Sequence, residues 1–361
     1  MIREASDCVT ARMTKPGYKK GEIWDQKYHP SSCPTPSDLS YTYIPNISIR
    51  ILNGRNEYIS KFVHFALRTQ SSIEICTCYL FAHDPAQRYL FLHLLPFLAR
   101  EHGVKIKLLC DMMPIESLAL RGAMKVEPQF NKKKITARGS VPPFSFLECL
   151  PQNAPKCTNA DLQVKESSLD YLQQVLDIAS SIPNEAFQFR WWCARDAEDK
   201  YRIKNHAKCI LIDRKVSFIG GSNVFPTPDS GNYDLDLLVA GDLTKNISNT
   251  FDYLWEMMDP NSCPSSFIDT VTPRASTAKD DNLLLSEVEW SDSSASAAYL
   301  RSEPSSSGED IILRNVLGAI KTAEKSIVMS MGHSNKPAIL STALGKAVKH
   351  RVTIRLLVNS V

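Results

Sequence analysis

The chain has 361 residues, of which 43% are hydrophobic, 22% charged and 9% aromatic, the values of a globular protein with a sizeable core and room for about two lobes. A formal charge of +3 is too weak to argue for a nucleic-acid partner, although a phosphate pocket needs only local positive charge. No apolar run approaches the ~18 residues of a spanning helix, and Asp7, Thr10 and Lys15 interrupt any basic-then-apolar leader. The ten cysteines form no Cys-x-x-Cys pair; Cys76 and Cys78, two apart on an apolar run, read as reduced core thiols rather than zinc ligands.

Residues 1–50 are rich in Pro, Ser and Tyr and predict an irregular lead-in. Apolar residues then recur at helical spacing from Asn56 to Arg68 (Ile59, Phe62, Val63, Ala66, Leu67). A buried strand follows over Ser72–Leu80, a helix over Gln87–Arg100 and a strand over Val104–Cys110 that ends in Asp111. Residues 111–165 form a loop-rich insertion with Lys132, Lys133, Lys134 and Arg138, which reads as a solvated charge run. Beyond it come a helix over Leu169–Ala179 and a strand over Phe187–Trp192, with at least one of Trp191 and Trp192 in the core. Strands over Cys209–Ile212, Val216–Ile219 and Leu235–Val239 precede a helix over Ile247–Met258. These elements make residues 51–258 one lobe. Residues 259–308, dominated by Ser, Pro, Asp and Glu, read as a linker with one short ordered piece at Leu283–Trp290.

The last stretch, 309–361, repeats the order of the first. A helix over Ile311–Thr322 precedes a strand over Ser326–Met331, a helix over Ala338–Lys349 and a strand over Val352–Val358. Ala66–Ile73 resembles Ala319–Ile327, and the run VKIKLL at Val104–Leu109 resembles VTIRLL at Val352–Leu357. Two shared patterns in one order imply an internal duplication whose second copy is partial. The expected fold class is therefore α/β, a mixed sheet flanked by helices in the first lobe plus a partial second lobe of the same kind.

Chemistry concentrates between Asn205 and Asn223. His206 and Lys208, two apart at the start of a strand, project to one face, where an ammonium binds an anionic oxygen and an imidazole can attack beside it. Asp213 turns the chain into the next strand. Gly220 and Gly221 permit close backbone approach, and Ser222 and Asn223 add hydrogen-bonding groups near an oxyanion. Asp234 is the candidate for orienting His206 through its other ring nitrogen, with Asp236 the alternative on the same strand face.

The complete string His-x-Lys-x4-Asp-x6-Gly-Gly-x-Asn resembles the repeated signature of the phospholipase D superfamily, matching at His206, Lys208, Asp213, Gly220, Gly221 and Asn223. Asp234, Gly241, Phe251 and Trp255 extend the likeness toward its cardiolipin synthase-like and phosphatidyltransferase branches. The resemblance implies a phosphodiesterase or phosphatidyltransferase acting on phospholipid headgroups, with two motifs meeting across a pseudo-two-fold axis. One histidine forms a phosphohistidine and the other protonates the leaving alcohol, without metal or other cofactor. By this resemblance the catalytic set is His206, Lys208, Asp213, Asn223 and Asp234, and Lys208, Gly221, Ser222 and Asn223 bind substrate, while Asp213 ties down the strand end.

The 361 residues hold one such motif. His333 lacks a lysine at the required spacing, so a second motif is expected from a missing C-terminal part or from another chain. The expected partner is a phospholipid at a membrane surface, nucleic acid being disfavoured by the charge, and the expected setting is cytoplasmic and peripheral to the membrane. Two other readings stand beside the lipid enzyme: a nuclease-type phosphodiesterase that works as a dimer, and a non-catalytic member that keeps one phosphate site.

Overall fold

The structure is a computed structural model that describes residues 43–80, 84–111, 147, 150–158, 160–162, 168–192, 205–226, 234–258, 288–290, 292–298, 311–331 and 337–358. These fall into two compact units, Ile44–Ala297 and Ala298–Val361. Lys132–Lys134, Arg138 and His333 lie outside the described residues.

The first unit is built on an eight-stranded sheet. In chain order the strands are β1 (Tyr43–Leu52), β2 (Ser72–Thr77), β3 (Lys105–Asp111), β4 (Phe187–Trp192), β5 (Cys209–Ile212), β6 (Val216–Gly220), β7 (Asp236–Gly241) and β8 (Asp292–Ala298). Their spatial order is β4-β3-β2-β5-β6-β7-β1-β8. Strands β2, β3 and β4 are parallel, whereas β5, β6, β7 and β1 each run antiparallel to the neighbour before them. This is the expected mixed sheet. Its parallel half needs crossover helices and its antiparallel half needs only tight turns, which is why the motif region can be so compact.

The helices α1 (Arg55–Ala66), α2 (Pro85–Tyr89), α3 (Leu95–Glu101) and α4 (Ser168–Ser181) supply the crossovers. A π turn over Leu90–Leu94 joins α2 to α3. Pro96, in the first turn of α3, has no N–H to give to the preceding turn, which accounts for the irregularity there. Tyr58 and Phe62 of α1 meet Phe218 of β6 at ring separations of 5.1 and 5.9 Å, and Phe62 meets Phe225 at 5.3 Å. Ile73, Ile75, Ile106, Leu108, Ile210, Ile212 and Phe218 join the same buried cluster. Each such residue buried is worth roughly 1.5–3 kcal/mol against exposure.

Strand alternation sends Glu74 and Lys107 to the opposite face, where α5 (Asp242–Met257) packs. Arg214 there bonds Glu74 at 2.6 Å and Asp252 at 2.5 Å. Arg190 lies 4.3 Å from the Trp255 ring centroid and donates to its carbonyl at 2.7 Å. Trp192 is buried, as expected of one tryptophan of the pair, and Trp191 is half-buried against Phe189.

Four elements differ from expectation. The lead-in, expected to be irregular through residue 50, already forms β1 from Tyr43; Pro45 and the left-handed Asn46 (φ 58) hide a period-2 run of Ile47, Ile49 and Ile51. Strand β8 occupies part of the segment expected to be linker. Strand β2 ends at Thr77 rather than Leu80. Helix α5 starts at Asp242, five residues earlier than apolar spacing suggested, because Gly241 (φ 94) breaks the strand and Asp242 suits a first helical turn.

In the second unit α6 (Ile311–Thr322), β9 (Ser326–Met331), α7 (Pro337–Lys349) and β10 (Thr353–Val358) follow the expected order. Strands β9 and β10 are parallel with Ser326 opposite Thr353 and Ile327 opposite Ile354. Strands β2 and β3 pair Ser72 with Lys105 and Ile73 with Ile106. The approach to the second strand matches too: His102-Gly103-Val104 and His350-Arg351-Val352 each place a left-handed residue between a helix end and a buried valine. Register and turn thus match between the two strand pairs, beyond the likeness of residues. Among the described residues no helix is long and apolar enough to cross a membrane.

Candidate active site

Register puts the chemistry-bearing residues at one end of the first sheet. Cys209, the first residue of β5, lies opposite Cys76 near the end of β2 and opposite Ile219 near the end of β6. Gly220 lies opposite Asp236, the first residue of β7, and Cys110 lies opposite Thr77 at the ends of β3 and β2. Residues 205–208 enter β5 at this end, and 221–223 leave β6 there.

Asn205 fixes the entry. Its backbone N–H donates to the buried Asp111 carboxylate at 2.6 Å, its Nδ2 donates to Cys76 Sγ at 3.2 Å, and its Oδ1 accepts from Ala207 N at 3.1 Å. These bonds reach backward to β2 and β3 and forward past His206, so a buried side chain flanks an exposed imidazole. Lys208 Nζ lies 3.1 Å from His206 Nδ1 and donates to the His206 carbonyl at 2.9 Å. The expected His206–Lys208 pair is thus brought together. An ammonium has only donors, so Nδ1 accepts here and a neutral ring carries its proton on Nε2. Burial pulls Lys208 below the usual lysine range, while the neighbouring Cys78, Asp234, Cys76 and Asp111 act the other way.

Asp213 is elsewhere. It closes the β5–β6 turn at the far end of β5, roughly 17 Å from Lys208 at ~3.4 Å per residue. Its carboxylate accepts from Gln70 N (2.9 Å), Ser71 N (2.8 Å), Ser71 Oγ (2.7 Å) and Ser72 N (2.9 Å). Asp213 and Arg214 both hold left-handed backbone (φ 50 and 58), closed by Lys215 N–H to Ile212 O at 3.0 Å. The carboxylate anchors the motif strand to the start of β2, the strand-end role the resemblance implied, away from the His206–Lys208 pair.

Ser222 also departs from expectation. Its hydroxyl donates to Asp236 Oδ2 at 2.6 Å and its N–H to Oδ1 at 3.2 Å, so both groups are turned to a buried carboxylate instead of an oxyanion. Burial raises Asp236 above the usual aspartate range, with the Ser222 bonds pulling it back. The two strand carboxylates therefore differ: Asp236 is buried on Ser222, whereas Asp234 is exposed and its charge acts on Lys208. The glycine pair serves this arrangement. A Cβ at Gly220 would sit 2.5 Å from Leu235 O and 2.8 Å from Asp236 Cα, and one at Gly221 would sit 2.5 Å from Asp234 Oδ1. Asn223 is held through its carbonyl, which accepts from Gln87 Nε2 at 2.9 Å, and its buried Oδ1 has no hydrogen-bond partner among the described residues.

Asn205 and Asp111 were not singled out from sequence, although Asp111 ending β3 was a visible signal. Among the described residues no group of three or more His, Cys, Asp or Glu is placed to hold a metal ion.

Residues 63–255 match the family described as "Cardiolipin synthase, PLD-like domain". A search of the curated proteins returns no match. Among solved structures, phosphatidylserine synthase of Haemophilus influenzae Rd KW20 is similar at 13% identity and TM-score 0.52, over 89% of this chain and 64% of that one. The chain thus spans a little under two thirds of that synthase. NucT of Helicobacter pylori is similar at 13% identity and TM-score 0.33, over 60% of this chain and 97% of that one.

Proposed function

The chain belongs to the phospholipase D-like family described by its cardiolipin synthase-type domain, and from that premise we propose that it cleaves or transfers the phosphodiester of a phospholipid headgroup, using His206 as nucleophile. The observation that carries this reading is the His206–Lys208 contact at 3.1 Å on a strand entry pinned by Asn205. Positioning of this kind is what converts a weak imidazole nucleophile into a useful one.

In the proposed step, the lone pair of a His206 ring nitrogen attacks phosphorus and the bond to the leaving alkoxide breaks as an acid protonates it. Lys208 leaves Nδ1 for a phosphoryl oxygen and stabilises the developing charge. Losing that contact frees Nδ1 to carry the ring proton and leaves Nε2 as the attacking atom; Asp234 is the carboxylate we assign to orient it. Water or an alcohol then attacks the phosphohistidine and restores the imidazole. Asn223 is the assigned neutral donor to phosphate.

The lipid class is supported by the family description, and the peripheral setting follows from such a substrate. We assign the leaving-group acid to a second motif from a further segment or another chain; at high enzyme concentration a second copy of this chain can supply it. The test is headgroup release from vesicles of a defined anionic phospholipid, repeated with a primary alcohol present. Diversion of product into the alcohol ester supports the reading; neither release nor transfer at high enzyme concentration overturns it. The presence of one His-x-Lys motif in the chain favours a second reading, a non-catalytic phosphate-binding member. That reading requires headgroup binding lost in Lys208→Ala together with no turnover.

A further inference from the structure

The sequence draws attention to Cys76 and Cys78, but strand register gives Cys76 a different partner. Cys76 of β2 lies directly opposite Cys209 of the antiparallel β5. Residues so placed have Cα atoms ~4.5–5.5 Å apart, within the ~4.4–6.8 Å span of a disulfide. Both are free thiols, Cys76 buried and Cys209 partly exposed. Cys209 is bonded in sequence to Lys208, and Cys76 Sγ accepts the Asn205 amide at 3.2 Å. The pair therefore sits directly beneath the His206–Lys208 entry and shares its clamp.

We propose that Cys76 and Cys209 are a modification site, a thiol pair that hydrogen peroxide converts to a disulfide and a dithiol reductant restores by exchange, and that closure weakens the Asn205 clamp on His206. The sulfur of Cys76, whose charged form the Cys209 hydrogen bond, the Asn205 amide and Lys208 favour, attacks one oxygen of hydrogen peroxide; the O–O bond breaks, and the thiol proton leaves with the departing hydroxide as water. The sulfur of Cys209, directly opposite on β5, attacks the resulting sulfenic sulfur, and its proton leaves with the hydroxyl as a second water. Two thiols and one peroxide give one disulfide and two waters. Once bonded to Cys209, the Cys76 sulfur is drawn toward β5 and is a poorer acceptor for Asn205 Nδ2.

Electrostatics agree with two thiols bonded to each other. The Cys209 hydrogen bond lowers Cys76 below the usual thiol range, helped by Asn205 and Lys208, while the same bond and burial push Cys209 up. Cys110, in contrast, is pushed well up by burial, with Asp111 and the neighbouring Cys78 and Cys76 adding to it. It is the less reactive competitor.

The inference about activity rests on the proposed phosphodiester chemistry; the inference about the disulfide does not. The full chain, purified reduced, is treated with hydrogen peroxide, alkylated, digested and mapped by mass spectrometry. A peptide joining Cys76 to Cys209, reversed by dithiothreitol and absent in both Cys209→Ser and Cys209→Ala, is the expected result. No such peptide, or a join of Cys76 or Cys110 to Cys78 instead, overturns the site. Headgroup release should fall on the order of 10- to 100-fold on oxidation, the cost of misplacing a catalytic group, and recover with dithiothreitol, while Cys209→Ala resists. An unchanged rate in a cross-linked protein overturns the coupling to His206. A cross-link in a protein inactive even when reduced counts against the proposed function and leaves the thiol site standing.

Discussion

Ser71 donates twice to Asp213, from its backbone N–H at 2.8 Å and its hydroxyl at 2.7 Å, across 142 residues of sequence. With Gln70 and Ser72 this makes one buried carboxylate the acceptor for the start of β2. Asp213→Ala should cost about 2–4 kcal/mol, since it orphans several donors and places alanine at a left-handed turn. Asp213→Asn should cost less, because asparagine tolerates φ 50 but turns one N–H toward a donor. Chemical denaturation of the two variants checks both the size and the order.

The two glycines should separate cleanly. An alanine Cβ at Gly220 meets backbone of the neighbouring strand, Leu235 O and Asp236 Cα, which cannot step aside. At Gly221 it meets the end of the exposed Asp234 side chain, which can. Gly220→Ala should destabilise by about 1–3 kcal/mol, and Gly221→Ala by clearly less. Thermal unfolding of the pair measures the difference.

Asp236 sets a pH dependence. Its folded pKa is raised by burial, so the native state binds more protons than the unfolded chain above the ordinary aspartate value. Stability from this group is complete below the unfolded pKa and is lost as pH rises through the folded one. Asp236→Asn should therefore flatten the fall in stability over the window just above pH 3.8. A slope unchanged in urea titrations across that range contradicts the assignment.

The motif was legible because its members are close in sequence and its strands are short; His206, Lys208 and Asn223 needed no long-range knowledge. What sequence could not show was direction. Ser222 looks like an oxyanion donor until Asp236, fourteen residues on, is folded against it. Asn205 looks incidental until Asp111 and Cys76, 94 and 129 residues away, close on it. Strand β1 was missed because Pro45 and Asn46 mask its alternation. Two short runs pointed to a duplication, and the β2–β3 and β9–β10 pairs share the parallel register such a duplication requires.

That alignment makes its own prediction. Gly103 (φ 67) and Arg351 (φ 64) occupy the same turn of the two repeats, one with the residue suited to it and one without. Gly103→Arg should cost about 1 kcal/mol for backbone strain, with space to spare since a Cβ there meets nothing within 4 Å. A loss several times larger, seen in equilibrium unfolding, contradicts the equivalence of the two turns.

In the proposed mechanism His206 bonds covalently to phosphorus. Rapid mixing with a short-chain phospholipid, quenching under alkaline denaturing conditions and peptide mass spectrometry test it directly. A phosphorus adduct is expected on the peptide containing His206, absent in His206→Asn and much reduced in Lys208→Ala. Turnover with no adduct at any time point, or an adduct that persists in His206→Asn, contradicts it.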